Sequence, residues 1–151
     1  MKYPTISSHV IGAPNKDRRP DANQPLDKSI IIVDDDEDIR HHLSVTLHKD
    51  GWTVLAAKNG TEALTLFHSH RVDVVLTELF LPGLSGIEIM DRLLSIDRNL
   101  PVIIFTSYPT LERCRASMRS GATDFLQKLC SSAEIKRVLT DALDKRRDNI
   151  R

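Results

Sequence analysis

The sequence predicts an α/β fold in which helices cover both faces of a parallel β-sheet. Two observations lead to this prediction: short β-branched apolar runs alternate with segments of helical period, and polar or turn residues separate the two. Five strand–helix units follow one another, and such a succession favours parallel strands joined by helical crossovers. The predicted strands are Ile30–Val33, Trp52–Ala57, the run that begins at Val72, Val102–Phe105 and Asp124–Gln127.

The predicted helices each carry apolar residues at helical spacing. In the first helix these are Ile39, Leu43 and Leu47, and Gly51 ends the helix. The last helix opens at the capping-box pair Ser131 and Glu134, and its apolar residues fall on one face. The other helices are predicted at Thr61–His70, Ile87–Ile96 and Thr110–Ser120.

Length and composition indicate one folded domain. The 151 residues suffice for a core without disulfides, and the 21 basic and 21 acidic residues leave no excess charge for nucleic acid. No run of eighteen apolar residues and no hydrophobic signal core is present, so we expect a cytoplasmic protein without membrane contact. Cys114 and Cys130 lack the spacing of metal ligands.

The chain divides into three parts. Residues 1–27 contain four prolines and no apolar periodicity, which predicts a flexible N-terminal arm. Residues 28–147 form the predicted domain, and 148–151 a short tail. Because the sequence ends just after the last helix, we expect no output domain within it.

Polar side chains follow four of the predicted strands. Asp34 and Asp35 follow the first strand, Glu78 the third, Thr106 the fourth and Lys128 the fifth. Parallel strands bring their carboxyl ends to one edge of the sheet, where ligands of open α/β sheets bind. Two carboxylates about 5 Å apart repel by roughly 3 kcal/mol, so such a cluster raises a pKa or recruits a cation such as Mg²⁺. The hydroxyl and the ammonium would suit the oxygens of a phosphoryl group.

These residues lie in stretches that resemble the receiver domains of bacterial two-component response regulators. The stretches are IIIVDDDEDIR, VDVVLTELFLPGLSGIE, PVIIFTSY and SGATDFLQK, and the resemblance extends over 28–147. It implies a doubly wound five-stranded parallel sheet, the flavodoxin-like (βα)₅ receiver fold. It also implies a non-enzymatic role in phosphorelay signal transduction.

The resemblance assigns a role to each residue of the cluster. Glu78 stands at the phosphoacceptor position, while Thr106 and Lys128 would contact a phosphoryl group and Phe125 would be the aromatic switch residue. The implied Mg²⁺ ligands are Asp34, Asp35, Glu78 and the backbone carbonyl of Phe80. No residue is assigned to catalysis.

Two positions depart from the family pattern. Receivers carry Asp where this chain has Glu78, and usually Pro where it has Leu129 after the lysine. We expect a trans peptide and a shifted loop at Leu129. The additional carbon–carbon bond of Glu78 moves its carboxylate about 1.5 Å outward, toward Thr106 and Lys128. This favours a phosphorylation-independent receiver in which Glu78 partly mimics a phosphoryl group.

Several alternatives remain open from the sequence. Glu78 could be phosphorylated by a histidine kinase or a small acyl phosphate, or the site could be inert and kept only for folding. A protein of another class, a haloacid-dehalogenase-like phosphatase, also has Asp34-x-Asp36 after a strand, with Thr106 and Lys128 following later strands. The expected partner surface is 110–147, which would bind a sensor histidine kinase or another signalling protein. A homodimer of the chain is a further alternative.

Overall fold

The computed structural model describes residues 10–11 and 28–149. Its strands are β1 (Val10–Ile11), β2 (Lys28–Val33), β3 (Trp52–Ala57), β4 (Val74–Thr77), β5 (Val102–Thr106) and β6 (Asp124–Gln127). Its helices are α1 (Glu37–Lys49), α2 (Gly60–Ser69), α3 (Gly86–Ile96), α4 (Leu111–Arg119) and α5 (Ser132–Asn149). Among these residues, no helix combines the length and apolar character needed to cross a bilayer.

The predicted sheet is confirmed. Five strands pair in parallel in the spatial order β3-β2-β4-β5-β6, with β2 at the position where the chain reverses direction across the sheet. This is the flavodoxin-like arrangement of a doubly wound fold, which places ligand sites beyond the carboxyl ends of the strands.

Two apolar layers hold the helices to the sheet. Because side chains alternate along a strand, Ile30 and Ile32 face one layer while Ile31 and Val33 face the other. The first layer packs against α1 and α5, and the second against α2 and α3. In α4 the one buried side chain is that of Ser117. That helix is therefore held less firmly than the other four.

Caps fix the helix ends near the predicted positions. Asp36 accepts hydrogen bonds from the backbone of Asp38 and Ile39 and so starts α1. The Ser131 hydroxyl accepts from the Glu134 amide at 3.1 Å, so α5 begins where the capping pattern predicts.

The sheet has one strand that the sequence did not predict. Val10 and Ile11 pair antiparallel with Leu55 and Val54 at the outer edge of β3. The open edge of a sheet offers unpaired backbone groups to such a segment, and two residues are too few to show an alternating pattern. The rest of the predicted arm, and residues 150–151 of the tail, lie outside the described residues, and the division into arm, domain and tail stays a prediction.

Candidate functional site

Backbone hydrogen bonds bring the predicted site residues to one level at the carboxyl edge of the sheet. The amides of Asp34, Glu78 and Lys128 each donate to a carbonyl of a neighbouring strand, at 3.1, 2.9 and 2.9 Å. For Lys128 that carbonyl belongs to Thr106. These bonds continue the sheet ladders by one residue, so the four side chains start from adjacent positions.

Lys128 joins the two buried carboxylates. Its Nζ lies 2.7 Å from Oδ2 of Asp34 and 2.5 Å from Oε2 of Glu78. Asp34 and Glu78 are 2% and 5% exposed. One ammonium is therefore shared between two carboxyl groups that are almost inaccessible to solvent.

Burial and close contacts shift the pKa of two members of this trio, Asp34 and Lys128. Burial raises the pKa of Asp34 above its usual value, although Lys128 and the Asp36 amide act in the opposite direction. Burial alone would lower the pKa of Lys128, but its contacts with Asp34 and Glu78 raise it instead. Lys128 is thus a permanent cation at physiological pH.

Both oxygens of the Glu78 carboxylate have partners. While Oε2 contacts Lys128, Oε1 accepts from the amides of Leu79 at 2.8 Å and Phe80 at 3.3 Å. The side chain is therefore bound at the same time to the lysine after β6 and to its own loop.

Gly86, at the start of α3, allows this loop to close. Its amide donates to the Leu79 carbonyl at 2.9 Å, and a Cβ at Gly86 would collide with the carbonyl oxygen of Glu78. This role was not predicted from the sequence. The available signal was a glycine where a good helix former would otherwise stand.

The trio opens onto a cleft of about 420 Å³. Asp35 and Asp36 add two exposed carboxylates to its lining, opposite Tyr108. Thr106 is fully buried, and its hydroxyl accepts from the Tyr108 amide at 3.3 Å. The Thr106 hydroxyl is thus hydrogen-bonded within its own loop. The direct contact with Glu78 is made by Lys128.

The carboxylate oxygens of the cleft are suitable ligands for a hard cation, but they are not arranged to hold one. Carboxylate oxygens are the ligands Mg²⁺ prefers, yet no described group of three acidic, histidine or cysteine side chains is close enough to hold a metal ion. The Lys128 ammonium already lies between Asp34 and Glu78. The residues present therefore do not fit a preformed Mg²⁺ site, and the set Asp34, Asp35, Glu78 and Phe80 carbonyl stays a prediction.

Aromatic contacts connect the Glu78 loop to α4. The Arg113 guanidinium lies 4.7 Å from the centroid of the Phe80 ring, and the Tyr108 ring meets Phe80 edge-on at 6.4 Å. Arg113 also donates to the Tyr108 carbonyl at 2.8 Å. These contacts, which the sequence analysis missed, place Phe80 between the buried carboxylate and the helix.

Two further predicted positions lie beside the trio. Phe125 is partly buried against the apolar layer of α2 and α3. Leu129, which replaces the usual proline, is 87% exposed, and the described backbone contains no cis peptide, as expected from the sequence.

Comparisons with known proteins agree with this geometry. A family model described as the response regulator receiver domain matches residues 30–140. Sporulation initiation phosphotransferase F of Bacillus subtilis is 37% identical over 111 residues, which cover 74% of this chain and 90% of that protein. A cyclic di-GMP phosphodiesterase of Thermotoga maritima is 32% identical over 118 residues, but the chain covers only 32% of its length.

Solved structures show the same similarity. The receiver domain protein of Clostridium thermocellum is 29% identical, with a TM-score of 0.74 over 80% of this chain and 97% of that one. A receiver domain of Francisella is 26% identical, with a TM-score of 0.74 over 79% and 98%. These matches give no support to the haloacid-dehalogenase alternative.

Proposed function

The chain belongs to the response regulator receiver domain family, and we propose that it signals without being phosphorylated. In this proposal Glu78 stands at the phosphoacceptor position and supplies a permanent negative charge there. The observation that carries the proposal is the 2.5 Å contact between Glu78 Oε2 and Lys128 Nζ. The glutamate reaches the lysine that the family resemblance assigns to the phosphoryl group.

The mimicry is partial for two reasons. A carboxylate carries one negative charge and two oxygens, whereas a phosphoryl group carries nearly two charges and three terminal oxygens. One Glu78 oxygen is also held by the Leu79 and Phe80 amides. Glu78 can shift the equilibrium between two conformations only by the difference in its interaction with each of them. We therefore expect an intermediate population of the active conformation.

The proposed mode of action needs no metal and no turnover. Lys128 supplies the positive charge beside both buried carboxylates. Signalling then depends on protein–protein contact.

The surface 110–147 is the proposed contact area for a partner. On α4, Leu111 and Met118 are 67% and 45% exposed, and Arg115 and Arg119 add positive charge. An exposed apolar surface bordered by cations favours a protein partner with acidic residues around an apolar centre. A sensor histidine kinase, another signalling protein and a second copy of the chain are the proposed candidates.

Intact mass after incubation with Mg²⁺ and a small acyl phosphate tests this function. Wild type is expected to gain no phosphoryl mass, whereas Glu78→Asp gains one, with Glu78→Gln as the unreactive control. A phosphoryl adduct on wild type would contradict the proposal. If Glu78→Asp also fails to react, the site departs from a working receiver beyond residue 78, and the loop at Leu129 is the next position to test.

A phosphate-transferring receiver is the second candidate. The Bacillus subtilis relative, named a phosphotransferase, supports it because this chain covers 90% of its length. That candidate predicts the opposite mass result, a labile phosphoryl adduct on the wild-type chain.

A further inference from the structure

A second pocket lies at the opposite end of the sheet, where the strands begin. It has a volume of about 460 Å³ and lies between the end of α3, the segments that lead into β5 and β6, and the last turns of α5. The acidic cleft lies at the other edge, so the two share no residue.

The charge of this second pocket is positive. Arg98, Lys145 and Arg146 line it, and none of its lining residues is acidic. Asn99, Thr123 and Asn149 add hydrogen-bonding side chains. The dipole of α5 favours Arg146, which lies in the last turn of that helix, and the C-terminus of α3 favours Arg98, which follows it. Lys145 lies outside the last turn of α5, so no helix dipole explains its place in the pocket. The ends of two helices thus converge on one cationic pocket.

Arg146 has donors that find no acceptor in the described part of the chain. Its Nη2 donates to Asp97 Oδ2 at 2.7 Å and to the Val72 carbonyl at 3.5 Å. Its Nε and Nη1 are buried and have no acceptor among the described residues. Leaving a buried polar group without a partner costs about 1–3 kcal/mol, so such a group needs an explanation. An oxyanion in the pocket would supply the acceptors after a small side-chain adjustment.

We propose that this pocket binds a small polyanion that carries a diphosphate group. A diphosphate matches the two exposed cations, Arg98 and Lys145, together with the unused donors of Arg146. Guanidinium groups are especially suited to phosphate oxygens. The pocket volume leaves room for an organic substituent on the diphosphate.

Isothermal titration of the full chain with pyrophosphate and with ADP, without divalent metal and at constant ionic strength, tests the proposal. Saturable binding of pyrophosphate is expected. Arg98→Glu and Lys145→Glu should each weaken it by about tenfold or more, the equivalent of one lost charge-assisted hydrogen bond. Lys49→Glu makes the same charge change at an exposed position of α1, so this variant should bind pyrophosphate as wild type does. Tighter binding of ADP would identify a nucleotide, and equal binding would identify the diphosphate group alone.

A fourth variant separates specific donors from diffuse charge. Arg146→Lys keeps a cation beside Asp97 but removes the two unused donors, so we expect a loss of about tenfold here as well. Absence of saturable binding would overturn the proposal. Equal affinity in Lys49→Glu, Arg98→Glu and Lys145→Glu would overturn it too, because binding would then depend on net charge.

Discussion

The two ends of the sheet each contain a partly buried ion pair, but in opposite electrostatic surroundings. At the carboxyl end Lys128 contacts both buried carboxylates, and further acids line the cleft. At the other end Asp97 is the acid that pairs with Arg146, and cations line the pocket. At each end the less abundant charge, which is Lys128 or Asp97 and is called here the minority charge, stabilises the structure through its ion pairs. The more abundant charge faces an open cavity. The excess charge at each end is therefore available for binding or signalling.

Helix dipoles explain part of this difference. The N-terminus of α1 favours the acids at Asp36–Asp38, and the C-terminus of α5 favours Arg146. Neither dipole explains the minority partners, Lys128 and Asp97. Substituting Lys128 and Asp97 one at a time therefore shows how much each end of the sheet contributes to the stability of the protein.

The largest expected effect is the loss of the minority cation. Lys128→Met leaves two buried carboxylates without a counter-charge, so we expect the free energy of unfolding at pH 7 to fall by about 3–5 kcal/mol. Urea denaturation measures this change. In the exposed control Lys58→Met, which removes a 3.8 Å contact with Glu62, the loss should stay below about 1 kcal/mol. Equal losses in both variants would mean that the trio contributes no more than a surface pair.

Gly86→Ala should perturb the carboxyl end alone. The new methyl group would collide with the Glu78 carbonyl, and backbone overpacking of this kind costs about 1–3 kcal/mol. Urea denaturation is expected to show that loss, while titration shows unchanged pyrophosphate binding at the opposite end. A simultaneous loss of pyrophosphate binding would contradict the independence of the two ends.

Asp97→Asn tests the minority acid and its pH dependence. Burial alone would raise the pKa of Asp97, but the hydrogen bond and charge of Arg146 hold it below its usual value. Because the folded pKa is the lower one, the stabilisation is complete above the unfolded value and is lost as pH falls below about 4. At pH 7 we expect Asp97→Asn to cost about 1–2 kcal/mol.

Unfolding measured from pH 7 to pH 3 checks this sign. The stability difference between wild type and Asp97→Asn should shrink as the pH falls. A difference that stays constant would show that the Asp97 charge makes no contribution.

The smallest expected effect is at the contact between the Glu78 loop and α4. Arg113→Met removes the cation over the Phe80 ring, a contact worth about 0.5–1 kcal/mol at an exposed site, together with the 2.8 Å hydrogen bond to the Tyr108 carbonyl. Global stability should hardly change, but hydrogen exchange in α4 should become faster than in the exposed control Arg115→Met. Equal exchange in the two variants would show that Phe80 does not hold the helix.

The convergence of the site could be predicted because it depends on the backbone. Once the strands are parallel, Asp34, Glu78, Thr106 and Lys128 must meet at one edge. The local cap at Ser131 was equally predictable. Predicting both features requires only the hydrophobic periodicity and the identity of the residues next to a strand or helix.

The remaining features depend on contacts between segments far apart in the sequence. Arg146 on α5 and Asp97 are 49 residues apart, and the Arg113 guanidinium on α4 contacts the Phe80 ring of the loop after β4. A hydrophobic period within one element does not predict which side chains of separate elements meet. The close approach of Gly86 to Glu78 is likewise a result of packing between segments, and so is the edge pairing of β1.

Backbone amide chemical shifts of α4, including those of Ser117 and Met118, test whether Glu78 partly mimics a phosphoryl group through Lys128. The shifts are compared among Glu78→Gln, wild type and beryllofluoride-treated Glu78→Asp. If Glu78 is a partial mimic, the wild-type shifts lie between those of the other two, on the line that joins them. Wild-type shifts that coincide with those of Glu78→Gln would contradict it.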